Sequence, residues 1–149
     1  MDTISQRIID ALRARLQSIT TANGYNFDLG NKVYEWRVAN VHQSDLPVLV
    51  YRDVSCDTDT VEMGERHTLR VEIGLQASSA NITVASLRKM IADVRRAIGI
   101  DPQWSGLAIN TYYRGHVIDI DQAERVIGGA TLRIDIVYRT KEWDDYTQL

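Results

Sequence analysis

The residues able to carry chemistry are few and scattered. His42, His67 and His116 are the only imidazoles, and Cys56 is the only thiol. His67 falls on the apolar phase of the stretch Arg66–Ala77, which suits a satisfied residue at the core edge better than a ligand. His42 and His116 lie in loop-like segments, with no nucleophile at a recognisable spacing. No Gly-x-Ser-x-Gly turn between a strand and a helix supports a Ser-His-Asp arrangement. A single cysteine forms no internal disulfide and builds no cysteine metal site within one chain, so Cys56 reads as an idle thiol. Asp57-x-Asp59 opens like a calcium loop, but Val61 and Glu62 stand where a third oxygen ligand and the turn glycine belong. Asp119-x-Asp121 is a similar pair expected at a strand end. Gly128-Gly129 is too short for a phosphate loop and leads into a strand. No catalytic constellation, metal set or cofactor site is expected.

The elements around these residues are plainer. In RHTLRVEIGLQA, His67, Leu69, Val71, Ile73, Leu75 and Ala77 alternate with Arg66, Thr68, Arg70, Glu72, Gly74 and Gln76. Side chains alternate faces along an extended strand, so this is a long strand with one buried face. Ala130–Thr140 repeats the design. Ile4, Ile8, Ile9, Leu12, Leu16 and Ile19 predict an amphipathic helix over Thr3–Thr20, capped by Asp2 or Thr3, with Asn23-Gly24 as its left-handed stop. Val84, Leu87, Ile91, Val94 and Ile98 predict a second helix, capped by Asn81 or Thr83 and ended by Gly99 and Pro102. Lys32–Val38 and Val48–Val54 read as strands, the latter entered through Pro47. Leu107–Tyr113 and Val117–Asp121 read as one strand bent near Gly115.

Asp53–Glu65 holds five carboxylates and no basic residue, and is expected as an exposed, mobile hairpin extension. The last nine residues, KEWDDYTQL, are expected to project from the domain. The whole 1–149 chain is then one α+β domain, a two-layer sandwich with two helices on one face of a mainly antiparallel sheet, in the order α-β-β-β-α-β-β.

Bulk properties agree. Of 149 residues, 44% are hydrophobic and 25% charged, as in an ordinary globule. A net charge of -3 gives no reason to expect a dedicated nucleic-acid binder. The opening lacks the order of a signal peptide, and no apolar run approaches the ~20 residues that cross a bilayer. Assembly in a reducing cytoplasm is the default expectation.

Taken together, the opening helix IIDALRARLQSI, the stretch TTANGYNFDLGNKVYEW, Leu46-Pro47 leading into a strand, the helix LRKMIADVRRAIG with Asp101 and Trp104 just after it, and the closing Val137-Tyr138-Arg139-Thr140 resemble tail terminator proteins of long-tailed bacteriophages. These are the tail completion, or minor tail protein U-like, proteins. The resemblance covers nearly the whole chain in order and rests on no single motif. It implies a ring of six copies on the head-proximal end of the tail tube. Such a ring stops tube polymerisation and offers a surface to the head connector, and DNA passes through its hole without specific binding. The implied partners are therefore copies of the chain, the tail tube protein and the connector, with no membrane and no turnover.

Within that expectation, Asp57, Asp59 and Glu62 are candidates for lining the channel or docking on the tube. Arg13, Arg15, Arg95 and Arg96 are candidates for pairing across a ring seam with that acidic stretch, or with Asp144 and Asp145 of the tail. The rivals are another neck or head-tail completion protein, and a ligand-binding or enzymatic domain with a pocket around Trp104, His116 or Tyr112.

Overall fold

A computed structural model describes residues 1–36, 46–78, 83–121 and 127–149. His42, the last two residues of the expected first strand and the candidate cap Asn81 lie outside the described residues.

Helix α1 spans Ile4–Gln17 and buries Ile4, Ile8, Ile9, Leu12 and Leu16. The Thr3 hydroxyl accepts the Gln6 amide at 3.1 Å and caps it. The helix stops short of Thr20, and Gly24, at φ 90°, closes a separate 3-10 turn over Thr21–Asn23. Ile19 is buried all the same. Helix α2 spans Val84–Gly99, with the Thr83 hydroxyl accepting the Ser86 amide at 3.1 Å. Its last turn runs through Gly99 to a cap at Ile100.

The strands are β1 (Val33–Glu35), β2 (Val48–Val61), β3 (Gly64–Ser78), β4 (Asn110–Asp121), β5 (Ile127–Lys141) and β6 (Asp144–Gln148). They form one mixed sheet in the order β1-β2-β3-β5-β4, with β6 also paired to β5. Among the described residues only β1 and β2 run parallel; the other pairs are antiparallel. The alternation read in β3 and β5 sets their register: Leu69 faces Ile136, Val71 faces Ile134, Ile73 faces Leu132 and Leu75 faces Ala130. These cross-strand pairs and the apolar stripes of both helices join in one core. The chain is thus α+β, with two helices and six described strands.

Both outer neighbours of the β3–β5 pair carry a register shift, at Asp53/Ser55 on β2 and at Tyr113/Gly115 on β4. The second is the bend expected near Gly115, where φ is 114°. The two shifts lie at about the same level of the sheet, beside Val71 and Ile134. Bulges bend a strand and deepen its twist, so the sheet curls along this line.

Two segments differ from expectation. The acidic stretch is the exposed hairpin expected, but a regular one: β2 continues through it to Val61, paired with β3 as far as Gly64. Thr58 and Thr60 supply β-branched residues on one face, and Asp57 and Asp59 point to the other, opposite Thr68 and Arg66. The tail does not simply project. Residues after Lys141 turn back as β6, an extra strand in the element order, and the Leu149 amide donates to the Arg139 carbonyl at 3.2 Å. Gly64 makes room for this return, because a Cβ there would overlap Leu149 and the Thr140 carbonyl.

Candidate assembly surface

The β2–β3 and β5–β6 hairpins turn side by side at one end of the sheet. Each turn is two residues long, Glu62-Met63 between Val61 and Gly64, and Glu142-Trp143 between Lys141 and Asp144. The second residue of each is left-handed, Met63 at φ 68° and Trp143 at φ 57°. Bulky residues rarely adopt that conformation, which costs roughly 1–3 kcal/mol. Met63 is 84% exposed and Trp143 is 91% exposed. Tyr146 and Leu149 add exposed apolar surface close by in sequence. The turns are tied together by the Glu65 carboxylate, which accepts the Trp143 amide at 2.7 Å, and by the Arg139 guanidinium, which donates to the Glu62 carbonyl at 3.0 Å. The Thr147 hydroxyl, followed by the Tyr146 amide, holds the Asp144 carboxyl below its usual range and fixes the return of the chain.

Behind the tip, a closed polar relay supports the hairpins. Thr140 donates its hydroxyl to the Lys141 carbonyl at 3.0 Å, so it accepts from His67 Nε2 at 2.8 Å. His67 Nδ1 is then the acceptor for the Thr58 hydroxyl at 2.8 Å. The ring also stacks on Tyr138 at 4.8 Å. His67 is therefore the satisfied core-edge histidine its position predicts. Burial pushes up the titration of Tyr138 and Cys56, whose oxygen and sulfur approach to 4.0 Å.

The wet face of the sheet is a ladder of opposite charges. Asp57 pairs with Arg70 at 2.8 Å, Asp59 with Arg66 at 3.7 Å, Glu72 with Arg52 at 3.4 Å and Asp135 with Arg114 at 2.8 Å. Asp57 and Asp59 of the acidic stretch are thus answered by arginines of their own subunit, which the composition of the stretch alone did not reveal. Glu62 sits in the turn itself, on the exposed tip.

The four candidate seam arginines separate into two kinds. Arg15 is committed to its own chain: its guanidinium lies 3.9 Å from the Trp104 ring centroid and donates to the carbonyls of Ile98 at 3.0 Å and Asp101 at 2.5 Å. Burial lowers its pKa in spite of Asp101. Its place one step from Leu16 hides this role, since the partners come from the far end of α2. Arg13 donates to the Tyr51 hydroxyl at 2.6 Å and meets Glu35 at 3.4 Å. Arg95 and Arg96 remain exposed on α2, over the rings of Tyr113 (4.1 Å) and Tyr25 (5.4 Å).

Arg95 and Arg96 flank an open cleft of about 320 Å3, whose other walls are Ile98, Gly99, Pro102, Thr111, Tyr113 and Ile134. The three residues named as alternative pocket centres, Trp104, His116 or Tyr112, do not converge on one another. Trp104 is fully buried with its indole N–H on Thr111 at 2.7 Å, and Tyr112 faces the wet side opposite Asp135. His116 instead meets Tyr113, at 2.5 Å.

One buried carboxylate escaped the sequence reading. Asp93, 2% exposed, accepts the amides of Asn26 (3.0 Å) and Phe27 (3.2 Å) and the Asn26 side chain (2.9 Å). It clamps the segment after α1 to α2, and its spacing between Ile91 and Val94 was the available signal.

The sequence matches no family model and no curated protein.

Proposed function

We propose that this protein is a structural virion component, a tail terminator that closes into a ring on the head-proximal end of a phage tail tube. The ring stops tube growth and presents its other side to the head connector. In this reading the helices form one layer over the sheet's apolar face, and the sheet's ends and wet face serve neighbours. The chain acts by assembly and needs no cofactor.

The supporting observation is the pair of strained, exposed turns. Left-handed Met63 and Trp143 present apolar side chains to solvent without recovering their backbone cost in the subunit. The basic, apolar cleft beside α2 is unlike that tip in shape and charge. Two dissimilar surfaces on one domain favour a heterologous contact, which closes into a ring when its rotation permits. The resemblance in element order and scattered residues gives that ring its place on a tail.

Electron micrographs of a phage lysate lacking this gene test the reading. Abnormally long or headless tails are the expected result. Normal tails attached to heads refute it. Normal-length tails beside filled heads that fail to join favour the neck-protein alternative. Replacing Asp57, Asp59 and Glu62 together by Ser tests the channel role. Unchanged rings with slowed DNA passage are expected if these carboxylates face the duplex; unchanged phage yield removes that role and leaves Asp59 and Asp57 as partners of Arg66 and Arg70.

A further inference from the structure

The cleft and the tip are complementary, and neither can satisfy the other within one subunit. At about 3.3 Å per residue, Lys141 lies roughly 20 Å beyond Ile134 along β5, so the Trp143 turn stands well away from the cleft whose wall Ile134 forms. The residues of the two turns and their immediate flanks carry Glu62, Glu65, Glu142, Asp144 and Asp145 against Lys141 and the Arg139 guanidinium that reaches the Glu62 carbonyl. Helix α2 carries the reverse. Its exposed charges are Arg88, Lys89, Arg95 and Arg96, while its one carboxylate, Asp93, is buried on Asn26 and Phe27. The cleft between Arg95, Arg96 and Tyr113 has an apolar lining from Ile98 and Pro102, and exposed Ile100 adjoins it in sequence. Its size is at the lower end of the ~300–1,000 Å3 typical of ligand clefts, with room to admit an aromatic side chain.

We infer that the acidic turn bearing Trp143 docks into the Arg95/Arg96 cleft of a second copy of this chain. The indole enters between Tyr113 and Pro102, and the flanking carboxylates meet the two guanidinium groups. Arginine over an aromatic face is a favourable contact, and tryptophan, tyrosine and arginine are enriched among dominant interface residues. The occupant is a second copy because this chain itself carries the matching charge and aromatic residue. The inference rests on the ring reading and supplies its seam.

The test is sedimentation velocity on the full chain, at low and high salt. Trp143→Ala keeps the cleft, and the Arg95→Glu, Arg96→Glu double variant keeps the tip. Each is expected to weaken self-association by about 30-fold or more, the scale of a dominant interface residue, with an unchanged urea midpoint. Trp143→Phe is expected to retain most of the assembly. An equimolar mixture of the two defective proteins retains one intact seam, so it is expected to form a heterodimer and stop there. Rings formed equally by wild type and Trp143→Ala overturn the docking but leave the ring reading standing. Wild-type protein that stays monomeric at every concentration overturns the docking, and with it the self-closing ring. A mixture that forms no heterodimer also overturns the docking.

Discussion

Trp104 and Trp143 share an improbable backbone and have opposite surroundings. Both are left-handed, at φ 53° and φ 57°. Trp104 has no exposed surface, donates its indole N–H to Thr111 and lies beneath the Arg15 guanidinium. Trp143 is held only through its main-chain amide, on Glu65, and its ring stands in solvent. In the first case burial and a hydrogen bond offset the strain inside the subunit. In the second, the bond to Glu65 holds the backbone but the ring meets no comparable partner among the described residues, so the compensation is sought in a contact with another molecule. The same backbone oddity therefore marks a structural keystone in one place and an interaction site in the other.

The largest expected effect breaks the comparison directly. Trp104→Gly relieves the left-handed strain but empties a core site, and should cost at least the ~3–5 kcal/mol of truncating a buried tryptophan. Trp143→Gly relieves equal strain and loses no packing. It should leave the isolated subunit unchanged or more stable by up to about 1 kcal/mol. Paired urea titrations check both. A destabilised Trp143→Gly subunit would show that the exposed ring has a structural role after all.

A smaller effect comes from the cation over Trp104. Arg15→Met keeps much of the aliphatic stem but removes the donors to Ile98 and Asp101 and the charge above the indole. About 2 kcal/mol should be lost, since two partly buried carbonyls lose their partner. Faster hydrogen exchange at the end of α2 should accompany it. Arg15→Met with wild-type stability would return Arg15 to the pool of seam candidates.

At the other tryptophan, Glu65→Ala removes the carboxylate that ties the two turns together. The bond lies at the surface, so stability should fall by only about 1 kcal/mol. Exchange of the Trp143 amide should quicken, and self-association should weaken because the tip is no longer held in one orientation. Unaltered amide exchange would show that the turn keeps its shape without Glu65.

How much of this was legible in the sequence depends on how each element is buried. Strands β3 and β5 and both helices announce themselves because one face of each meets the core, and period follows burial. The acidic half of β2 does not, because neither of its faces is greasy. Cys56, Thr58 and Thr60 alternate with Asp57 and Asp59, and the pairing partners that make this a strand lie in β3. Strand β6 is five residues of mixed polarity and owes its place to β5 and to Gly64. Arg95 and Arg96 could be named from the sequence as exposed helix charges, whereas Arg15 could not be told apart from them. Nothing in local spacing says that Trp104 folds back over it. Trp143 was visible only as one aromatic in an acidic tail. Its conformation, which gives it meaning, is set by a two-residue turn that only the strand register reveals.

The smallest expected effect sharpens the Trp104 side through pH. The Asp101 carboxyl accepts the Ser105 amide at 2.6 Å and the Gln103 amide at 3.1 Å, shaping the turn that places Trp104. The Ser105 amide is the chief cause that holds this carboxyl below its usual range, with Gln103 and Arg15 adding to it. Between the folded and unfolded pKa values, the unfolded chain binds a proton that the folded chain does not. The contribution is therefore complete above the unfolded value, about pH 4, and is lost as pH falls through the depressed folded value. Asp101→Asn has no such titration. Its urea midpoint should lie slightly below wild type at pH 7, and the two curves should converge as pH falls through the depressed folded value and the wild-type carboxyl takes up its proton. A gap that stays constant down the acid limb would mean that the turn depends on the geometry of the side chain and not on its charge.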